Sequence, residues 1–119
     1  MMPRLLPSLF FRLYEEAQQY KDEELFVAER GWQDWMDDLS VDEVTAVLDA
    51  VWGLAHMSIR DMRELVTVSQ TAASEVMHIP RRTLQNWEAG VTDPPEYTRM
   101  FLAYIIYCED ECAEVEEQC

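Results

Sequence analysis

Two short helices joined by a tight turn, over residues 69–87, constrain this chain more than any other feature of its sequence. Ser69-Gln70 opens the first helix, which runs to Met77. Three of its side chains are small enough for close packing against a neighbouring helix: Ala72, Ala73 and Val76. His78-Ile79 makes the turn, and Pro80 starts the second helix at a first helical position, where its fixed φ is already suitable. The pattern predicts two helices that pack against each other across the turn.

Two more helices with their own start and stop signals flank this pair. Ser58 is expected to cap a short amphipathic helix, whose apolar positions are Ile59, Met62 and Leu65. The helix after the turn, Arg81 to Trp87, stops at Gly90. Asp93-Pro94-Pro95 then caps a further helix that runs through Tyr107. We therefore expect a compact module of four helices.

Helical signals also dominate the N-terminal half of the chain. A first helix is expected after Pro7 with Ser8 as its N-cap, and a second stretch spans Asp22 to Asp38 with a kink or break at Gly31. The apolar positions of that second stretch recur at helical spacing: Leu25, Ala28, Trp32, Trp35 and Leu39. Ser40-Val41-Asp42-Glu43 is a capping box that opens a third helix. With 3 glycines and 5 prolines in 119 residues, the chain is expected to be all-α.

The net charge of −15 is distributed unevenly along the chain. Residues 1–57 hold 12 acidic and 4 basic side chains, residues 58–107 hold 6 and 5, and residues 108–119 hold 6 acidic and no basic ones. The four-helix module is therefore nearly neutral and lies between two acidic segments. This distribution predicts three parts, namely an acidic helical extension at 1–57, the module at 58–108 and an acidic C-terminal tail at 109–119.

Several classes of function find no support in the sequence. No apolar run of about 18 residues is long enough to span a membrane, and Met1 to Leu13 lacks the basic start of a signal peptide. We therefore expect a cytoplasmic protein, in which the three cysteines stay reduced. No closed ligand set predicts a metal site, and no nucleophile motif or phosphate loop indicates catalysis. We expect neither an enzyme nor a cofactor.

The residues of the module resemble a known family in type as well as in spacing. The shared positions are Ile59, Arg63, Ser69-Gln70, Ala73, Ile79-Pro80, Arg82-Thr83-Leu84, Trp87-Glu88, Gly90 and Pro94. This string resembles the lambda-repressor-like (Xre-type) helix-turn-helix regulators, which include small regulators and antitoxins of phages, plasmids and other mobile elements. The resemblance covers residues 58–107. It implies an all-α helix-turn-helix bundle in which residues 80–88 form the recognition helix.

The resemblance also implies roles for particular side chains. Gln70 matches a position that commonly touches a DNA phosphate. Four side chains of the recognition helix match groove-facing positions: Arg81, Arg82, Gln85 and Asn86. Arg63 and Glu88 match a largely structural ion pair. The spacing agrees, because Leu84 and Trp87 lie one turn apart and are expected to point inward. Arginine can bond guanine bidentately, and Asn or Gln can bond adenine in the same way, so the four side chains suit base reading.

The chain departs from the family where DNA phosphates are usually met. The family commonly has Lys or Arg in the second helix and just after the glycine. Here those positions hold Thr71, Ala72, Ser74 and Glu75, followed by Val91, Thr92 and Asp93. Neutralised phosphates supply much of the affinity for DNA. A monomer with only Arg81 and Arg82 near the DNA is therefore expected to bind weakly.

Different functions are compatible with these patterns. The first is a sequence-specific transcriptional repressor of a phage or other mobile element, which reads operator DNA with the recognition helix. The alternative is a non-catalytic acidic inhibitor, an anti-CRISPR or anti-restriction protein that mimics nucleic acid and uses the fold to bind a basic nuclease such as Cas9. A further alternative is an antitoxin whose N-terminal helices grip a toxin.

Two apolar features leave alternatives open. Trp32, Trp35 and Trp52 are expected to pack in the core. If Trp32 and Trp35 were exposed, they would instead form a protein-interaction surface with the carboxylates near them in the sequence: Asp34, Asp37, Asp38, Asp42 and Glu43. Met100 to Cys108 is apolar almost all round, which is more than one buried helix face requires. Either the N-terminal helices cover this helix or the chain forms a homodimer.

Overall fold

The computed structural model describes residues 2–66 and 69–111, and these residues form seven α-helices and one 3-10 turn, with no strand. The helices are α1 Pro7–Gln18, α2 Glu23–Arg30, α3 Val41–Ala55, α4 Ile59–Val66, α5 Gln70–Met77, α6 Arg81–Ala89 and α7 Glu96–Glu111. The 3-10 turn, Asp34–Met36, lies between α2 and α3. The expected all-α class is confirmed. None of the helices in these ranges combines the length and the apolar character that a membrane span requires.

The chain forms two compact units. Among the described residues, the N-terminal unit holds those up to His56 together with Tyr107 to Glu111, and the central unit holds those between Met57 and Ile106. One boundary therefore lies between α3 and α4, and the other lies inside α7. The sequence-based division into an extension, a module and a tail stays a prediction, and residues 112–119 of that tail lie outside the described residues.

Helices α1 and α3 supply most of the core of the N-terminal unit. The buried side chains of these two helices are Phe10, Leu13, Tyr14, Ala17, Val44, Val47, Leu48, Val51, Leu54 and Ala55. Tyr107 joins this core, because its ring centroid lies 5.5 Å from that of Phe10 and its hydroxyl donates a hydrogen bond to the Pro3 carbonyl. Burying a large apolar side chain stabilises a fold by about 1.5–3 kcal/mol. The shared apolar core is therefore what holds this unit together.

The observed start of α3 agrees with the one predicted from the sequence, whereas the observed start of α1 does not. Ser40 Oγ accepts the Glu43 N–H at 3.1 Å, and Glu43 Oε1 accepts the Ser40 N–H at 2.9 Å, so the predicted capping box is confirmed. The expected Ser8 cap is wrong, because α1 begins at Pro7 and Ser8 is already helical. Proline has no N–H to satisfy, so the first turn of α1 has less need of a side-chain cap.

The helical stretch expected from Asp22 to Asp38 is interrupted at Gly31, so the expected break is confirmed and the stretch forms two elements. Gly31 adopts a φ of +64°, which ends α2, and the chain continues into the 3-10 turn. The expected apolar stripe is therefore wrong. Leu25 is 49% exposed and Ala28 is also exposed, whereas Phe26 is fully buried. Because the helix stops after eight residues, the side chains that follow Gly31 do not share a face with those before it.

The central unit begins with α4, whose start the sequence predicted correctly. Ser58 Oγ accepts the Asp61 N–H at 3.1 Å and caps the helix. Ile59 and Met62 are buried, but Leu65 is 58% exposed, so the expectation that it completes the apolar stripe is wrong. The buried arc of this short helix is completed by the charged side chain of Arg63 instead. Leu65 lies to one side of that arc.

Three further expectations for the central unit need correction. In α5 the tight packing position is Ala73, which is fully buried, while Val76 is 61% exposed. Pro80 precedes α6 with a ψ of 138°, so the first helical residue is Arg81. This ψ is expected for an N-cap residue, whose backbone is not yet helical. Finally, α7 continues to Glu111 instead of ending at Tyr107, since no helix-breaking residue follows.

A pair of carboxyl groups lies between α2 and α3. Asp49 shares a hydrogen bond with Glu23, which raises the pKa of the Glu23 carboxyl from 4.5 to about 7. Partial burial and the neighbouring charges of Asp49, Asp22 and Glu24 raise this pKa further in the same direction. The folded protein therefore retains a proton on Glu23 at a pH where the unfolded chain has released it.

Replacement of Glu23 by Gln should make folding less sensitive to pH. Since the folded-state pKa is raised, the proton's contribution to stability is present below pH 4.5 and is lost as the pH rises through about 7. An amide can donate to Asp49 at any pH. We expect the melting temperature of the wild type to fall relative to that of Glu23→Gln between these two values. Glu24→Gln, with the same charge change, is the control. If the melting temperatures of the wild type and of Glu23→Gln changed in parallel across the whole pH range, this would contradict the shared proton.

Candidate nucleic-acid interface

Hydrogen bonds fix the start of α5 and the turn between α5 and α6. Ser69 Oγ accepts the Ala72 N–H at 3.0 Å and caps α5. After α5, the Ile79 N–H donates to the Ser74 carbonyl at 3.2 Å, and the Ser74 hydroxyl donates to the Ile79 carbonyl at 2.5 Å. Between these hydrogen-bonded residues, His78 adopts a left-handed φ of 58°. Histidine tolerates this conformation better than most residues. These contacts fix the direction in which α6 leaves the turn.

Helix α6 buries one side and presents polar side chains on the other. Leu84 is fully buried and Trp87 is half-buried. The four side chains assigned to base reading are Arg81 and Arg82, which are exposed, and Gln85 and Asn86, which are half-buried. On an α-helix these four positions fall within an arc of about 140°. They are therefore presented from the first two turns of a single helix side.

Beneath α6, the carboxylate of Glu88 receives donors from two other helices. Arg63 of α4 donates twice, from Nε to Oε2 at 2.5 Å and from Nη2 to Oε1 at 3.0 Å. Gln70 of α5 donates from Nε2 to the same Oε1 at 2.9 Å. The side chains of Arg63 and Glu88 are each 7% exposed. The structure thus places these three side chains in one buried network, which we call the Glu88 network.

Hydrogen bonding keeps the Glu88 network charged. Burial by itself raises the pKa of the Glu88 carboxyl, but the hydrogen bonds from Arg63 and Gln70 outweigh it, so this pKa lies below its ordinary value. The hydrogen bond to Glu88 raises the pKa of the Arg63 guanidinium, although burial acts in the opposite direction. Both groups are therefore ionised at neutral pH. The network joins α4, α5 and α6 through a fully formed ion pair.

The available positive charge of the central unit lies at the start of α6. Arginine is the source of all five basic side chains in residues 57–106. Three of them are engaged within the unit: Arg60 with Glu64, Arg63 with Glu88, and Arg99 with the Met57 carbonyl. Arg81 and Arg82 are exposed, and neither has a carboxylate partner within the described ranges. A negatively charged ligand would therefore be attracted most strongly to Arg81 and Arg82.

The positions around α6 that would meet DNA phosphates are not basic in the folded protein either. Those that are exposed are Thr71, Glu75, Val91, Thr92 and Asp93, while Ala72 and Ser74 are half-buried. Neutral and acidic side chains release no counterions from DNA, which is the main source of salt-dependent affinity. Electrostatic attraction for phosphates is therefore greatest at the first turn of α6.

The N-terminal unit carries a second set of assigned residues in the segment after Gly31. Trp32 is 59% exposed, so the expectation that it packs in the core is wrong. The break at Gly31 takes it off α2, and its indole N–H donates to Asp37 Oδ1 at 2.8 Å. Trp35 is half-buried and donates to Gln33 Oε1 at 2.7 Å. The five carboxylates assigned with them are exposed: Asp34, Asp37, Asp38, Asp42 and Glu43. We call these seven residues the acidic-aromatic segment.

Comparison with known proteins agrees with the geometry of the central unit. The model of a helix-turn-helix family, HTH_3, matches residues 59–98, from the start of α4 into α7. The expected resemblance to lambda-repressor-like helix-turn-helix regulators is thereby confirmed for this segment. No curated protein and no solved structure matches the chain. The match lies wholly within the central unit.

Sequence reasoning missed the second donor to Glu88. It assigned Gln70 to a DNA phosphate, and the structure shows one amide N–H of Gln70 engaged in the Glu88 network. An amide has two N–H donors, and the assignment of Gln70 to a phosphate stays a prediction. A signal for this contact existed, since a carboxylate that binds an arginine bidentately can accept further hydrogen bonds. Helical spacing alone does not show which side chain donates this second hydrogen bond to Glu88.

Replacement of Arg63 by Ala should lower the free energy of unfolding by about 3–5 kcal/mol, because it leaves the buried Glu88 carboxylate without its charge partner. The matched control is Arg60→Ala, which removes an exposed pair and should cost at most about 1 kcal/mol. Urea denaturation measures both. Similar losses of unfolding free energy for the two variants would show that the buried pair stabilises the fold no more than the exposed pair does.

Proposed function

We propose that this protein is a sequence-specific DNA-binding regulator, of the repressor type found in phages and other mobile elements, which places α6 in the major groove of operator DNA. The observation that carries this proposal is the exposure of Arg81 and Arg82 at the first turn of a helix whose Leu84 is buried and whose Glu88 is held by Arg63. The recognition helix of a helix-turn-helix contacts base edges with its N-terminal residues. Exposed side chains at that end are therefore in the position that base reading requires.

The chemistry of the four side chains predicts the bases that they read. Arg81 and Arg82 have planar donor pairs that match the N7 and O6 acceptors of guanine. Gln85 and Asn86 each offer one donor and one acceptor, which matches adenine. The remaining amide N–H of Gln70 is suited to a phosphate oxygen near the start of α5. We therefore expect a short operator element in which guanines lie beside adenines.

Electrostatics sets the expected salt dependence. The central unit has a net charge of −1, and its two available cations are Arg81 and Arg82. If both approached phosphates, the slope of log K against log salt would be only about −2. Base contacts would then account for a larger share of the affinity than is usual. We expect specificity to persist at salt concentrations that abolish binding to unrelated DNA.

The test is selection from a randomised DNA duplex pool, followed by titration of the selected sequence with purified protein. Arg81→Ala and Arg82→Ala should each weaken binding by about 10- to 100-fold, since a bidentate base contact contributes about 1–3 kcal/mol. Each should also relax the base preference at one position. Arg60→Ala removes the same charge from an exposed site on α4 and is the control.

Two results would overturn the assignment of α6. The first is equal weakening by Arg60→Ala, because it would reduce the effect to net charge. The second is the absence of any selected sequence at low salt. Fluorescence anisotropy at several salt concentrations distinguishes these outcomes from lost base reading.

A second candidate function rests on the acidic-aromatic segment. Trp32 is exposed beside exposed carboxylates, and the chain has a net charge of −15. An exposed aromatic side chain framed by carboxylates suits a basic protein surface, such as the nucleic-acid channel of a nuclease. In this alternative the protein is a non-catalytic inhibitor, an anti-CRISPR or anti-restriction protein, or an antitoxin.

Reversal of Asp34, Asp37 and Asp38 to Lys should abolish inhibition of a basic nuclease such as Cas9 if this second function is correct. Reversal of Asp61, Glu64 and Glu75, three exposed carboxylates of the central unit, makes the same charge change and should have little effect. Cleavage assays with purified nuclease measure both variants. Unchanged inhibition after the first reversal would exclude the acidic-aromatic segment as the contact.

A further inference from the structure

An open cleft of about 570 Å³ lies within the central unit. Its walls come from the start of α4, the end of α6, the loop after Gly90 and the start of α7. None of the side chains assigned to base reading lines it. Sites for small molecules have volumes of roughly 300–1,000 Å³, so the cleft has the size of such a site. We call it the Trp87 cleft.

Three apolar side chains from three separate segments line the Trp87 cleft. Ile59 of α4 is buried, and Trp87 of α6 and Pro94 of the loop are half-buried. An indole ring offers a large, flat apolar face. Removing an apolar group of a ligand from water against this surface would contribute binding energy in proportion to the area covered. The cleft therefore suits a ligand with an apolar body.

Charged groups of both signs line the same cleft. They are Arg60, Arg99, Asp93 and Glu96. Arg60 is exposed and binds Glu64 through Nε, at 3.3 Å. A guanidinium has five N–H donors, so the terminal ones of Arg60 can bind a further carboxylate. Asp93 is exposed and has no cationic partner within the described ranges. The cleft thus offers donors to a carboxylate and an acceptor to an ammonium group.

We propose that the Trp87 cleft binds a free α-amino acid with an apolar side chain. The carboxylate of the ligand accepts hydrogen bonds from Arg60, its ammonium group donates to Asp93, and its side chain lies against Trp87. The chain as a whole, with a net charge of −15, repels a purely anionic ligand. The guanidinium groups of Arg60 and Arg99 repel a purely cationic one. A zwitterion has no net charge and matches both signs.

The Trp87 cleft is connected to the Glu88 network. Glu88 also lines the cleft, and its carboxylate accepts from Arg63 and Gln70. A ligand that binds the folded unit and not the unfolded chain stabilises the folded unit by mass action. One consequence rests on the proposed function: if α6 reads DNA, an amino acid in the cleft favours the position of α6 that DNA binding requires.

An NMR titration of the isotope-labelled full chain, without DNA, tests the site through the indole N–H signal of Trp87. Absence from the spectrum of Trp87→Phe identifies this signal. The probe is L-phenylalanine, for which we expect a dissociation constant on the order of 1 mM, given its size. Phenethylamine lacks the carboxylate, and 3-phenylpropionate lacks the ammonium group. Each should bind about 3- to 5-fold more weakly, because each loses one partly exposed ion pair.

Two variants distinguish the two ends of the ligand. Arg60→Gln should weaken binding of L-phenylalanine about 3- to 5-fold without weakening that of phenethylamine, which has no carboxylate to lose a partner. Asp93→Asn should weaken binding of L-phenylalanine to a similar extent without weakening that of 3-phenylpropionate. The matched controls are Arg82→Gln and Glu75→Gln, which make the same charge changes on exposed side chains outside the cleft.

Three results would overturn the proposal. The first is an unchanged Trp87 signal at concentrations of L-phenylalanine well above the expected dissociation constant. The second is tighter binding by either analogue, which would show that the cleft prefers a single charge. The third is equal weakening by the control variants, which would reduce the effect to net charge. Circular dichroism confirms that each variant is folded. Because these measurements contain no DNA, failure of the cleft and failure of the DNA-binding proposal are seen separately.

Discussion

The Glu88 network sets the position of the helix that carries the candidate interface. Glu88 belongs to α6 but faces the interior, where Arg63 and Gln70 reach it from α4 and α5. A buried carboxylate is costly unless its partners are present and well aligned. The three helices are therefore constrained to the arrangement that brings both donors to one oxygen pair. On the same helix Arg82 points away from the buried Leu84, and Arg81 is exposed at the first turn.

Charge is distributed unevenly along the chain, with a nearly neutral central unit between two acidic segments of the sequence. The central unit is close to neutral because its five arginines are nearly balanced by six carboxylates. The acidic residues are concentrated before and after it in the sequence. Long-range attraction to nucleic acid is consequently weak, and short-range complementarity must account for selectivity.

Polar and apolar surfaces of the central unit lie on different helices. The polar side of α6 offers donors and acceptors in fixed directions, whereas the exposed side chains of α7, Tyr97, Phe101 and Ile105, offer apolar area without direction. Hydrogen-bonding surfaces distinguish one ligand from another because an unmatched polar group loses its partner. Apolar surfaces contribute binding energy in proportion to the area removed from water. The two surfaces therefore suit two different kinds of contact, one specific and one supportive.

The sequence by itself determined the features that depend on a few neighbouring residues. Helix starts at Ser40 and Ser58 and the left-handed turn at His78 follow from local hydrogen bonds and backbone sterics. The resemblance of residues 59–98 to a helix-turn-helix could likewise be recognised from the sequence, because helix geometry fixes the spacing of the shared residues. Only the tertiary structure decided which side chains are buried. Leu65 and Trp32 are exposed against expectation, and Gln70 joins a buried network. A helical period shows which residues share a face, but the elements that pack on that face come from distant parts of the chain.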